Sequence, residues 1–279
     1  MTYSRTLISS LFFMLCILIA PMKLHAQTAP APQTHENGQP LEITADGTLE
    51  WNRAEKLFVA KKNAMAEQGP TSIKAETLTA HYRETERTNM DIRQVLAEGS
   101  VVIRSQENTA YGDKADYDLD KGLAVMTGEN LKMTGPGQIV TARDRFEYHV
   151  TEGRLIAEGQ AKVVRTDAQG QSDTLEADTV IATFKDDKTG KRALDTLEAK
   201  GHVVITTPSE VVTGAYGIYR ADTNIARLTG GVSIRRGPNI LEGDEAQVDL
   251  NTNTSRIFAS QTGGERVRGV FYPGSEKGP

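Results

Sequence analysis

From residue 41 onward, apolar and polar residues alternate in short segments, and the segments come in pairs that return about every thirty to forty residues. A small residue followed by an acidic or small one opens the first segment of a pair. After a polar turn, a second segment runs through a glycine. The clearest copies are Ala75-Glu76…Tyr82 with Val95…Gly99-Ser100-Val101-Val102-Ile103, Ala177-Asp178…Phe184 with Leu197…Gly201-His202-Val203-Val204-Ile205, and Gly214-Ala215…Tyr219 with Leu228…Gly230-Gly231-Val232-Ser233-Ile234. Alternation with period two puts every second side chain on one face of a strand, so each copy predicts two strands with one apolar and one wet face. Leu78, Ala80 and Tyr82 share a face, as do Ala115 and Tyr117, while Thr79 and Asp118 face the other way. Openings at about residues 45, 75, 112, 142, 177, 214 and 243 predict seven two-strand repeats, or about fourteen strands. A unit this small cannot bury its own apolar face, so neighbours must stack into one core.

The glycine recurs at Gly99, Gly128, Gly159, Gly201 and Gly230, with Asn63 in its place in the first copy. Glycine inside a strand weakens it, so repetition at one height calls for a geometric cause, such as a bulge or a line along which the sheet folds over. Two openings break the phase. Around Asp46 and around Arg143-Asp144 the apolar residues fall opposite to the marker, and the return strand after Gly128, with Leu131 and Met133, has the same slip. A one-residue slip turns a stripe outward, so these copies require a bulge or a shifted marker. Residues 84–96 have a weak helical periodicity, but a turn plus strand is expected there.

Composition adds the ends. Arg5, an uncharged run over 7–20 and Leu24-His25-Ala26 read as a signal peptide over 1–26; a retained membrane anchor is the alternative. Residues 27–40 read as a flexible linker, 41–262 as one β domain and 263–279 as a tail that loses the repeat. Cys16 is the single cysteine, so a chain cleaved after Ala26 has no disulfide. That chain carries 30 basic against 37 acidic residues, a balance that disfavours nucleic-acid phosphates. Lys61-Lys62 and Arg235-Arg236 are the candidates for a local basic rim.

Catalytic chemistry is not visible. His81, His149 and His202 are far apart and share no metal-ligand spacing. Residues 116–122 (DYDLDKG) suggest a calcium loop only superficially, because the glycine falls one place late and Thr127 occupies the twelfth position. No metal, cofactor or nucleophile is expected, although carboxylates dispersed in sequence can converge on β-helix enzymes that act on polysaccharides.

The opening Leu41-Glu42-Ile43-Thr44-Ala45-Asp46, the recurrent Ala/Gly-Asp…Tyr/Phe strands and the Gly-x-Val-x-Ile strands together resemble the LptA/OstA-like family of periplasmic lipopolysaccharide-transport proteins. The resemblance implies an elongated, V-shaped antiparallel β-jellyroll, open at both ends. It implies no enzymatic activity, but a bridge that carries lipopolysaccharide from inner to outer membrane with the lipid A acyl chains shielded inside. The groove residues expected are Tyr82, Val101, Ile103, Tyr117, Phe184, Val203, Ile205, Tyr219, Val232 and Ile234. The edges expected to meet partners carry Ile43, Val248 and Phe258. Implied partners are LptC-like inner-membrane and LptD-like outer-membrane modules, joined edge to edge, and other copies of the chain. An uncleaved leader would instead make it a tethered, LptC-like relay.

Overall fold

The computed structural model describes residues 40–85, 90–186, 192–249, 251–252, 254–259 and 266–273. The expected signal peptide, most of the linker and the last residues of the tail lie outside the described residues. The chain forms β1 (Glu42–Thr44), β2 (Thr48–Asn52), β3 (Leu57–Gln68), β4 (Thr71–Arg83), β5 (Asp91–Ser105) and β6 (Asn108–Asp118). Four short strands follow, β7 (Leu123–Thr127), β8 (Leu131–Gly135), β9 (Gln138–Ala142) and β10 (Arg145–His149). Then come β11 (Arg154–Thr166), β12 (Ser172–Asp186), β13 (Arg192–Thr206), β14 (Val211–Arg220), β15 (Ile225–Arg236), β16 (Asn239–Asp249), β17 (Thr254–Phe258) and β18 (Arg268–Val270). Among the described residues, eighteen strands form one sheet in which every pairing is antiparallel. This is an all-β jellyroll and not a β-helix, whose strands are parallel.

The expected fourteen strands correspond to fourteen rungs. Ten strands of 10–15 residues each cross the whole width of the sheet. The eight short ones sit end to end as four broken rungs: β2 with β1, β7 with β8, β10 with β9, and β17 with β18. For example, β7 and β8 pair with opposite ends of β6, and β10 and β9 with opposite ends of β11. The count of fourteen is therefore corrected to eighteen among the described residues, and the reason lies at the middle of each rung.

There the long strands with odd numbers carry two consecutive residues at positive φ: Lys62-Asn63, Gly99-Ser100, Gly159-Gln160, Gly201-His202 and Gly230-Gly231. Opposite each pair the register shifts by one residue, as between Glu98 and Val101 against β6 and between Lys200 and Val203 against β14. The repeated bulge divides the sheet into two walls and folds it over along a crease. Inward residues of both walls, such as Leu78 and Leu197 on one and Val101 and Val163 on the other, merge into a single apolar core. Lys61-Lys62 thus lies at the crease rather than at a strand end.

The acidic or small marker of the opening strand sits over the glycine of the next rung, as Glu76, Asp113, Asp144, Asp178 and Ala215 do over Gly99, Gly128, Gly159, Gly201 and Gly230. A Cβ on Gly99 would lie 2.8 Å from Glu76 Cβ, and one on Gly201 would collide with the Asp178 carboxylate. Where Asn63 replaces glycine, its amide donates to Asp46 Oδ2 at 2.8 Å. The sequence motif is therefore a contact between neighbouring rungs, written 15 to 23 residues apart.

The out-of-phase copies also resolve here. In an unbroken opening strand the inward residues flanking the crease are three apart, as Ala75 and Leu78; in the broken ones they are four apart, as Ala142 and Phe146. One additional residue slips the phase, and the strand breaks to keep both stripes inward. Arg143 and Asp144 still bond across the crease, their N–H groups donating to Gly159 and Glu158 carbonyls.

Beyond this contact, the left-handed backbone of the crease is itself selective. Gly201→Val, which combines a branched side chain, a positive φ and the Asp178 contact, is expected to lower the unfolding free energy in urea by about 2 kcal/mol or more. Gly170→Ala, at a φ of +81° in a turn with open space around it, is expected to lower it by only about 1 kcal/mol.

Candidate functional site

The two walls differ in chemistry. On the first, formed with β2, β7, β10 and β17, the strands β2, β4, β6, β10, β12 and β14 present one aromatic each at a similar height: Trp51, Tyr82, Tyr117, Tyr148, Phe184 and Tyr219. On the second, formed with β1, β8, β9 and β18, the inward residues are aliphatic, among them Ile73, Ile103, Met133, Val140, Val163, Leu175, Ile205 and Ile234. Where the strands of the second wall end, the interior row turns polar, through Ser105, Asn108, Gln138, Arg165, Asp173, Glu210 and Arg236.

Between the walls, from β4 to β13, lies a cavity of about 400 Å³. Its sides are Val95, Ala97, Ala110, Ala115, Ala124, Met126, Phe146, Leu155, Ala157 and Ala182 with the aromatic and aliphatic residues of the two walls. Close-packed protein interiors hold few voids larger than a water molecule. A volume in the range of about 300–1,000 Å³ is that of a small-molecule site. The second space, beside β13 to β15, has only about 20 Å³. Alanines make the difference: Ala124 separates Tyr117 from Tyr148 in register, leaving a notch between the two rings.

Of the expected groove residues, Ile103, Tyr117 and Phe184 line the large cavity, and Val203, Ile205 and Tyr219 the small one. Val101, Val232 and Ile234 point inward but line neither, being closed in by their neighbours. Tyr82 is 4% exposed under an aromatic stack. Phe58 lies 5.3 Å from its ring and Trp51 5.4 Å from Phe58, and Trp51 Nε1 donates to Tyr82 Oη at 2.9 Å. Arg53 lies over Trp51 at 4.2 Å. Phe146, Tyr148, Met126, Met133 and Val140 were missed because they belong to the broken rungs. Counting four residues rather than three from the inward Ala142 recovers Phe146 and Tyr148.

The expected edge residues separate. Ile43 is on β1, whose outer side has no partner among the described residues, and Phe258 is 41% exposed on β17. Val248 is corrected: it is buried on β16, between β15 and β17, one strand in from the edge.

The remaining candidates take structural roles. The Asp118 carboxylate accepts the backbone N–H of Lys121 at 3.0 Å and its ammonium at 2.7 Å, which closes the β6–β7 turn and holds the carboxyl below its usual range. His202 Nδ1 lies 2.9 Å from Asp178 Oδ2 at the crease, and His149 lies beside Glu147. No cluster of metal-binding side chains occurs among the described residues. At the polar row, burial pushes the Asp173 and Glu210 carboxyls up, and the nearby Arg165 and Arg236 oppose the shift.

The family model described as LptA/(LptD N-terminal domain) LPS transport protein matches the chain twice, over residues 42–154 and 144–254. No curated protein matches it. A crystal structure of LptH from Pseudomonas aeruginosa, described as the LptA homologous periplasmic component of the conserved lipopolysaccharide transport device, is 13% identical. That alignment covers 84% of this chain and 96% of the other with a TM-score of 0.22, a likeness too slight to carry an argument.

The Glu210 side chain is 8% exposed, with Arg236 Nε at 3.9 Å. An acid whose folded pKa is raised loses stability as pH climbs from its unfolded value through its folded one. Glu210→Gln is therefore expected to raise the thermal midpoint at pH 7 and leave it unchanged near pH 3, where the carboxyl is protonated in both states, as read by unfolding scans at the two pH values.

Proposed function

The chain belongs to the LptA/LptD N-terminal domain family of lipopolysaccharide-transport proteins, and from that premise we propose that it is a periplasmic bridge whose interior shields lipid A acyl chains between the two membranes. The family is one of transport proteins and not of enzymes, which removes the polysaccharide-active alternative. The observation that carries the reading is the apolar cavity of about 400 Å³ in an otherwise closely packed jellyroll. An acyl chain moved from water to such walls gains roughly 25 cal/mol per Å² of apolar surface covered. Energy for directed movement comes from elsewhere.

The ends supply the partners. β1 and β2 lack an outer neighbour, as do β17 and β18, among the described residues. Open edges recruit strands through their free backbone groups. The middle of the molecule supports this reading, because there two broken rungs already pair: β7 with β10 over five residues and β8 with β9 over five. The terminal rungs are broken in the same way, so joining one chain to the next, or to an LptC-like or LptD-like module, repeats a joint that the fold already contains. Export to the periplasm with a cleaved leader belongs to the same reading; mass measurement of the mature N-terminus separates it from an LptC-like tethered relay.

Photoreactive residues at Tyr117 and Phe184 are expected to label with lipopolysaccharide, and those at outward Thr79 and Asp118 to stay unlabelled. Labelling from the outward pair alone refutes the interior route. Cysteines at Ile43 of one molecule and Phe258 of another are expected to form an intermolecular crosslink, whereas a cysteine at the buried Val248 forms none. A chain that stays monomeric at every concentration, and makes no crosslink to partner modules, rules out edge joining.

A further inference from the structure

The large cavity ends, on the aliphatic wall, at two side-chain amides. Asn108 opens β6 and Gln138 opens β9, and both are half-buried on the interior face. They converge over Gly135. A Cβ there would lie 2.5 Å from Asn108 Oδ1 and 3.3 Å from Gln138 Nε2, so glycine leaves the space in which they meet. Gly135 has no positive φ, so its backbone does not demand glycine. Among the described residues neither amide has a hydrogen-bond partner, although both line the cavity. Ser105 stands beside them, its hydroxyl 3.2 Å from that of Thr71. Among the described residues no Lys or Arg lines the cavity, and Asp116 and Glu147, which border it on the opposite wall, turn their carboxylates outward to Gln94 and to Arg145. Arg165, across the ladder from Gln138, pairs in register with Asp173 on its other side.

We propose that Asn108 and Gln138 form a recognition site for the neutral part of an amphiphile's headgroup, the hydroxyl and carbonyl groups of an acylated sugar, where it meets the acyl chain. The inference rests on the acyl-binding reading of the same cavity and gives it an orientation. Two amides supply two donors each and two acceptors, which suit hydroxyls and carbonyls. A group that enters without meeting them leaves them desolvated and unpaired, so the site also selects against heads that cannot bond there. A carboxylate head gains no cation in the cavity wall.

Calorimetric titration of the full chain with dodecyl maltoside and with dodecanoate, each below its micellar concentration, tests this. The maltoside is expected to bind more tightly. The double variant Asn108→Leu/Gln138→Met is expected to weaken maltoside binding by about tenfold or more and to change dodecanoate binding by less than about twofold. Gly135→Ala, which crowds the amides without removing them, is expected to produce the same selective loss. An equal loss for both probes, or no loss for either, overturns the proposal and leaves the acyl cavity standing. Failure of both probes to bind the unaltered chain overturns the cavity reading itself.

Discussion

Everything in this fold depends on a close approach at the crease, where a left-handed residue pair on one rung meets the acidic or small residue that opens its neighbour. The contact tolerates no side chain at Gly99 or Gly201. It bends each rung at one height, which keeps the two walls facing each other. A glycine in mid-strand is ordinarily a loss. Here the bend lets both apolar stripes bury against each other, and the burial of residues such as Leu78, Val101, Leu197 and Val203 outweighs it.

Where the crease contains one residue more, the rung separates into two short strands. Two such rungs stand side by side in the middle, at β7 to β10, and the two family matches overlap there, on residues 144–154. The large cavity is centred on the same place. Side chains from four short strands converge there with a row of alanines, Ala97, Ala110, Ala115, Ala124 and Ala157, that leaves the volume unfilled. Beyond β13 the interior is filled instead by residues such as Leu228, Val232 and Ile234.

The repeat made most of the fold legible. Period two sets the inward faces of β4, β5, β12 and β13, and the recurring glycine marks the crease. The cavity was legible only in part. Ile103, Tyr117 and Phe184 follow from the phase, but Phe146 and Tyr148 sit where the phase slips, and alternation carries no account of a residue that is skipped. The space itself was not readable, because alternation reports which side chains point inward and not whether their volumes fill the gap. Val101 and Ile103 occupy equivalent positions in the pattern, yet only the second borders an opening. The terminal residues diverge for a similar reason: Val248 and Phe258 read alike as late strand residues, and the backbone pairing alone puts one inside the sheet and the other at its margin.

The rung is also a unit of length. Strands stack at about 4.8 Å, so fourteen rungs, with thirteen intervals between them, measure about 60 Å along the crease. Because each rung touches only its neighbours, the molecule lengthens in steps of that size without altering the cross-section of its interior. Reach and bore are separate variables in this architecture: the number of repeats sets the first, and the choice of alanine or leucine on the inward positions sets the second.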